Sequence, residues 1–206
     1  HLSPAPLPSP WYNAWSGSQQ QAECLYLIVS SIQDGDTNAL TYFRESEIGD
    51  VDGDGMPEIL DGWGNPIRFF RWAPGYLTYS DIQIRDSDVA PDAFDPLKVD
   101  PRWTASDGDP TNDPYMLYPL IISAGRDGIF DIVLDNSSSP IRYANPPTEP
   151  SGYPVNLPND PYLWFEVADP ANSSSTIPVQ FCQPIDDDND GLNDGDNISN
   201  HLMGAN

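Results

Sequence analysis

The sequence predicts an α+β fold in which an N-terminal helix packs on a small antiparallel sheet, with long acidic, proline-rich loops between the strands. Three observations predict it. A single amphipathic stretch, Ser18 to Gln33, lies near the start of the chain. The apolar segments beyond it are short and bounded by breakers. The 206 residues include 23 prolines and 15 glycines, with only 19% charged residues, a composition of turns and short strands rather than long helices. Hydrophobic residues at 38% can fill one core, and aromatics at 11% argue against disorder.

The helix follows from periodicity. Ala22, Leu25, Ile28, Val29 and Ile32 recur at three- and four-residue steps and form one apolar stripe. Ser18 and Gln21 fit a capping box, and Asp34-Gly35-Asp36 ends the segment. Ile67 to Trp72, Tyr115 to Ser123, Ile129 to Leu134 and Leu163 to Val167 read as strands. The insertions Asp81 to Pro114 and Asn136 to Pro161 read as large loops. The expected layout is an extended proline-rich tail over 1–15, a head domain over 16–185 and an acidic calcium-binding segment over 186–206.

Charge is lopsided. Thirty-two acids face eight bases, of which only Lys98 is a lysine, for a formal net charge of −24. Nucleic acid is excluded as a partner on this balance. Carboxylates this dense repel unless cations gather, and a divalent ion held by several of them both neutralises charge and cross-links loops. The bland alternative is a solvated acidic surface.

Two runs have ordered spacing. In DVDGDGMPEILD, carboxylates stand at Asp50, Asp52, Asp54, Glu58 and Asp61, with Gly55 at the sharp turn. This is the spacing of a calcium loop, in which alternating acids aim at one ion and later acids complete six to eight oxygen ligands. The twelfth position is aspartate instead of the usual glutamate, and GWGNP follows where an EF-hand would start its second helix. The expectation is therefore a calcium loop outside an EF-hand. A second run, DDDNDGLNDGDN, sets Asp186, Asp188, Asp190 and Asp194 in related spacing and resembles the acidic loops of thrombospondin type 3 and dockerin-like repeats. Extracellular calcium modules bind at roughly 10⁻⁴ to 10⁻³ M, which suits a structural ion.

Cys24 and Cys182 are the only cysteines, and His1 and His201 the only histidines. No Cys/His zinc cluster follows from them. One disulfide between Cys24 and Cys182 is the expectation, against two buried free thiols, and it implies an oxidising compartment. Its loop of about 160 residues corresponds to roughly 5 kcal/mol of closure entropy. A histidine-based triad is improbable and no GxSxG occurs, so the chain is read as no enzyme. No apolar run is long enough to span a membrane.

Two motifs carry a family resemblance. DGWGNPIRFFRW, Asp61 to Trp72, resembles the region of the major pseudopilins of type II secretion that runs aspartate, any residue, tryptophan, glycine, asparagine, proline and then a strand. YPLIISAGRDGIFDI, Tyr118 to Ile132, is similar to the later element in which a strand ends in Ser-x-Gly-x-Asp-Gly, here Ser123, Gly125, Asp127 and Gly128. The motifs occur in family order, and the resemblance covers roughly 20 to 135. DVDGDGMPE also resembles insertions in pilin-like proteins of planctomycete-type bacteria. The resemblance implies the head of a type IV pilin or pseudopilin, exposed to the periplasm before assembly and then extracellular, at the cell surface. It further implies calcium in the loop between the motifs, with roles for Asp127 and Asp131.

The family's long hydrophobic N-terminal helix is missing from these residues. Membrane attachment would then come through a truncated helix or through a separate helix-bearing subunit. The implied function is a structural subunit of a pilus or pseudopilus-like filament, its partners copies of itself. The alternatives are a calcium-dependent carbohydrate-binding or accessory module of a secreted enzyme, for which exposed Trp and Tyr would form the sugar platform, and a surface-layer or sheath protein.

Overall fold

The computed structural model describes residues 19–77, 80–100, 103, 108, 110, 113–133, 164–169, 172–184 and 197–202. The tail 1–15, the insertion Asn136 to Pro161 and Asp186, Asp188, Asp190 and Asp194 lie outside the described residues.

One α-helix, two short 3-10 helices and several small antiparallel sheets make up the described elements, an α+β mixture. The helix α1 spans Gln20–Ser31. Its N-cap is Gln19, which makes no side-chain cap hydrogen bond, and Ser18 lies outside the described residues. The helix ends before Asp34-Gly35-Asp36, at Ile32, whose backbone is extended. Ser30 Oγ and Ser31 Oγ donate to the carbonyls of Leu27 and Ile28, satisfying acceptors that the last turn of a helix leaves free. Asp34-Gly35-Asp36 instead turns a small hairpin between β1 (Gln33–Asp34) and β2 (Thr37–Asn38), with Gly35 at φ +60°.

Only the first half of the expected apolar stripe is covered. Ala22 and Leu25 are buried, whereas Leu27, Ile28 and Ile32 are exposed. The helix lies against β4 (Glu58–Ile59) and β5 (Arg68–Phe70). Strand β4 pairs with β3 (Ile48–Gly49), closing the acidic loop into a hairpin.

The central sheet has three antiparallel strands. Strand β5 pairs with β6 (Leu120–Ser123) in the register Arg68 to Ile122, Phe69 to Ile121 and Phe70 to Leu120. Skipping ahead in the chain, β9 (Ile198–Ser199) adds to the other edge of β6. Asn200 reinforces that edge, since its side chain accepts from Ile121 N at 2.7 Å and donates to Pro119 O at 3.1 Å. Phe70, Ala73, Tyr76, Leu120, Ile122, Ile132 and Cys182 form the core under this sheet. Gly75 sits where a Cβ would meet the backbone nitrogen of Gln183 at 2.6 Å, so only glycine lets the two segments approach.

Strand β7 (Trp164–Asp169) pairs with β8 (Asn172–Gln180) as a hairpin. Trp164 to Val167 is thus extended as expected, Leu163 lying outside the described residues, while β8 was not expected. The expected strand Ile129 to Leu134, of which Leu134 lies outside the described residues, departs from the strand reading. Asp131 turns to φ +44° and Gly128 to φ +80°, which breaks extension and leaves an isolated bridge between Ile132 and Pro184.

The disulfide expectation is corrected. Cys24 and Cys182 are both free. Cys182 is consumed by packing: it is fully buried in the core, and burial pushes its thiol well above the usual range. Cys24 lies half-buried on α1. Asn197, which with Ile198 and Ser199 forms a glycosylation-acceptor triplet, is also committed internally. It is buried and donates from Nδ2 to Phe130 O at 2.6 Å, which leaves no room for a glycan there. Among the described residues, no helix is long and apolar enough to cross a membrane.

Candidate metal centre

The acidic loop folds on its first residue. Asp50 Oδ1 accepts from Gly53 N at 2.7 Å and Asp54 N at 3.1 Å, and Asp50 Oδ2 accepts from Gly55 N at 2.9 Å. Gly53 and Gly55 take φ values of +77° and +94°, a left-handed backbone that side chains disfavour. That turn brings one oxygen each from Asp50, Asp52 and Asp54 within 4.8 Å of one another. The alternation of acids thus works as its spacing predicts.

A second grouping shares Asp52 and runs inward. Glu23, Asp52 and Glu58 also offer oxygens within 4.8 Å of one another. Glu23 comes from the first turns of α1 and Glu58 from β4, the two elements that pack together. Both residues are 0% exposed. Glu58 Oε2 accepts from Val51 N at 2.9 Å, but Glu58 Oε1 and both oxygens of Glu23 have no hydrogen-bond partner.

An ionised carboxylate so placed is unstable on its own. Burial first, then the charges of Asp54, Asp52 and Glu58, push Glu23 up to about 7. Burial likewise raises Glu58, against the Val51 amide that lowers it, with Asp52, Asp50 and Asp54 adding to the rise. Two like charges about 5 Å apart repel by about 3 kcal/mol at an effective dielectric constant of about 20. A divalent cation among these oxygens reverses the sign of every such term. The donors are all oxygen, which suits hard ions such as calcium or magnesium and not zinc or copper.

Asp61, Asp127 and Asp131 stand outside both groupings. Asp61 Oδ1 accepts from Trp63 N and Asn65 N, both at 2.9 Å, and its Oδ2 accepts from Ser123 Oγ at 2.7 Å. Asp127 Oδ1 accepts from Ile129 N at 2.9 Å, and Asp131 is buried behind the turn it makes. In the 81–114 insertion the acids brace turns. Asp95 accepts from Val99 N, Asp100 N and Trp103 Nε1 at 2.8 to 3.0 Å, and these bonds hold its carboxyl below the usual range.

The two family-like motifs meet at Asp61. Besides the Asp61–Ser123 bond, Asn65 Nδ2 donates to Gly125 O at 2.8 Å, and Gly125 N donates to Ser123 Oγ at 3.2 Å. Ser80 and His201 form the other chemically suggestive pair, with Ser80 Oγ 2.9 Å from His201 Nδ1. His201 Nε2 faces Pro119 O at 3.1 Å, so the ring donates there and accepts from Ser80. Ser80 Oγ is also engaged by the amides of Ile82 and Gln83. Both groups are occupied in holding the C-terminal strand.

Sequence reasoning missed Glu23. The one signal for it was an acid set between the buried stripe positions Ala22 and Leu25. Comparison of the chain with protein-family models, curated proteins and solved structures finds no match.

Proposed function

We propose that this chain is a non-enzymatic structural subunit, the calcium-stiffened head of a pilin- or pseudopilin-like filament displayed outside the cytoplasm. The observation that carries the reading is the joining of the two family-like motifs. Asp61 and Asn65 of the first bind Ser123 and Gly125 of the second, across about sixty residues, beside the β5–β6 pairing that both motifs feed. The helix α1 leans on that same strand β5. Calcium is the proposed cation, because the grouped side chains all offer carboxylate oxygens, which suit a hard divalent ion. Its partners are further copies of the chain and, where the hydrophobic helix is supplied separately, a helix-bearing subunit.

The reading is tested by locating the protein on cells. Immunogold labelling with antibody to the chain is expected to decorate surface filaments or sheared filament fractions. Labelling confined to the cytoplasm would contradict it.

A further inference from the structure

We infer that the acidic loop and helix α1 share one cation site, in which Glu23 of the helix supplies the closing carboxylate that Asp61 supplies in the loop's own numbering. The inference deepens the proposed function and rests on its calcium component.

Counting Asp50 as position one, the loop offers side chains at one, three, five and nine, namely Asp50, Asp52, Asp54 and Glu58. A calcium loop then needs a carboxylate, usually bidentate, from position twelve. Position twelve is Asp61, and its two oxygens already accept three hydrogen bonds that build the turn into β5 and the link to Ser123. Withdrawing it would break the joint between the two motifs.

Glu23 answers the same need from outside the loop. It is fully buried, both its oxygens lack hydrogen-bond partners, and one of them lies within 4.8 Å of ligand oxygens from Asp52 and Glu58. Leaving a buried carboxylate unpartnered is costly, so a buried acid normally has an ion or a donor. The charges that act on Glu23 are those of Asp54, Asp52 and Glu58, all acidic, and its contact with Asp54 is between two carboxyls. Asp52 belongs to both groupings, and the charge of Asp54 acts on Glu23, so one ion bound beside Asp52 would draw on both the exposed and the buried acids.

The consequence is mechanical. An ion held by Glu23 on α1 and by four acids around β4 clamps the helix to the hairpin at the end where its apolar stripe is buried. The other end of α1, where Leu27, Ile28 and Ile32 are exposed, gains nothing directly. Calcium therefore sets how firmly the helix is seated on the head.

The test is calorimetric calcium titration of the wild-type chain, Glu23→Gln and Asp61→Asn, with hydrogen exchange of the α1 amides in calcium and in chelator. The wild type is expected to bind one calcium ion at this centre and to slow exchange in α1. Glu23→Gln is expected to weaken calcium about ten-fold or more and to abolish the slowing. In chelator it should melt no lower than wild type, because it removes a repelled buried charge. Asp61→Asn keeps its acceptor oxygen and should retain calcium within about three-fold, while melting lower. Wild-type affinity in Glu23→Gln, or loss of calcium in a folded Asp61→Asn, would overturn the inference and leave the calcium reading standing. No calcium on the wild type would remove both.

Discussion

Asp61 and Ser123 are hydrogen-bonded at 2.7 Å across 62 residues of chain. The carboxylate holds the turn that launches β5 and grips the last residue of β6, so one side chain sets both the local geometry and the sheet register. Hydrogen bonds to a buried or half-buried charge contribute about 2 kcal/mol each. Ser123→Ala is expected to cost about 2 kcal/mol and Asp61→Ala about 3 kcal/mol or more. The double variant should cost clearly less than the sum, since each single change already removes the shared bond. Urea unfolding of the four proteins checks this, and strict additivity would contradict it.

How much of this was legible beforehand depends on the length of the signal. The helix was visible because apolar residues recur over enough positions to fix a period, and β5 and β6 because they lie in short apolar segments bounded by breakers. The acidic loop was visible because its acids and glycines alternate within a dozen consecutive residues. Strand β9 was not, since Ile198 and Ser199 are two residues with no period and gain their conformation from pairing with β6. Asn172 to Gln180 carries a serine run and was not assigned to a strand, yet it is held extended against β7. Ile129 to Leu134 looked like a strand because it is a short apolar segment, and Asp131 in a left-handed conformation interrupts it.

The site was half legible for the same reason. Loop acids could be counted along the chain, whereas Glu23 reaches the loop only through tertiary packing of α1 on β4. Asp61 was counted as a ligand because spacing cannot reveal that Ser123, Trp63 and Asn65 claim its oxygens. The cysteine pairing failed likewise, because nothing in the sequence tells that Cys182 is buried in the core.

His201 gives a pH dependence of definite sign. It is 0% exposed, packed edge-on against Tyr76 and bonded to Ser80 and Pro119. Burial lowers its pKa below the ordinary value of 6.5, against the Pro119 carbonyl that raises it. The folded state then holds fewer protons than the unfolded one, so this contribution is fully present above about pH 6.5 and is lost as pH falls towards the folded pKa. In saturating calcium, from about pH 7.5 to 5.5, the wild type should lose more stability than His201→Gln. The variant itself should cost about 2 kcal/mol at the upper pH. Equal pH slopes in the two proteins would contradict the assignment.

The two thiols should differ in reactivity. Cys182 lies in the core with its thiol pushed up, and Cys24 is half-buried on the helix. A thiol reagent applied to the native protein, read by intact mass, should add to Cys24 first and to Cys182 only on unfolding. An unreduced protein two hydrogens lighter than its sequence would instead restore the disulfide.

Calcium occupancy tests the account most directly. The wild-type chain is melted in about 10 mM calcium and again in chelator, with bound metal read by mass spectrometry on the same samples. For an ion bound at roughly 10⁻⁴ M, mass action adds about 2.7 kcal/mol, or about 5 °C or more for a chain of this size. The account predicts that shift together with bound calcium that chelation removes. Identical melting in both buffers, with no calcium recovered, would contradict it.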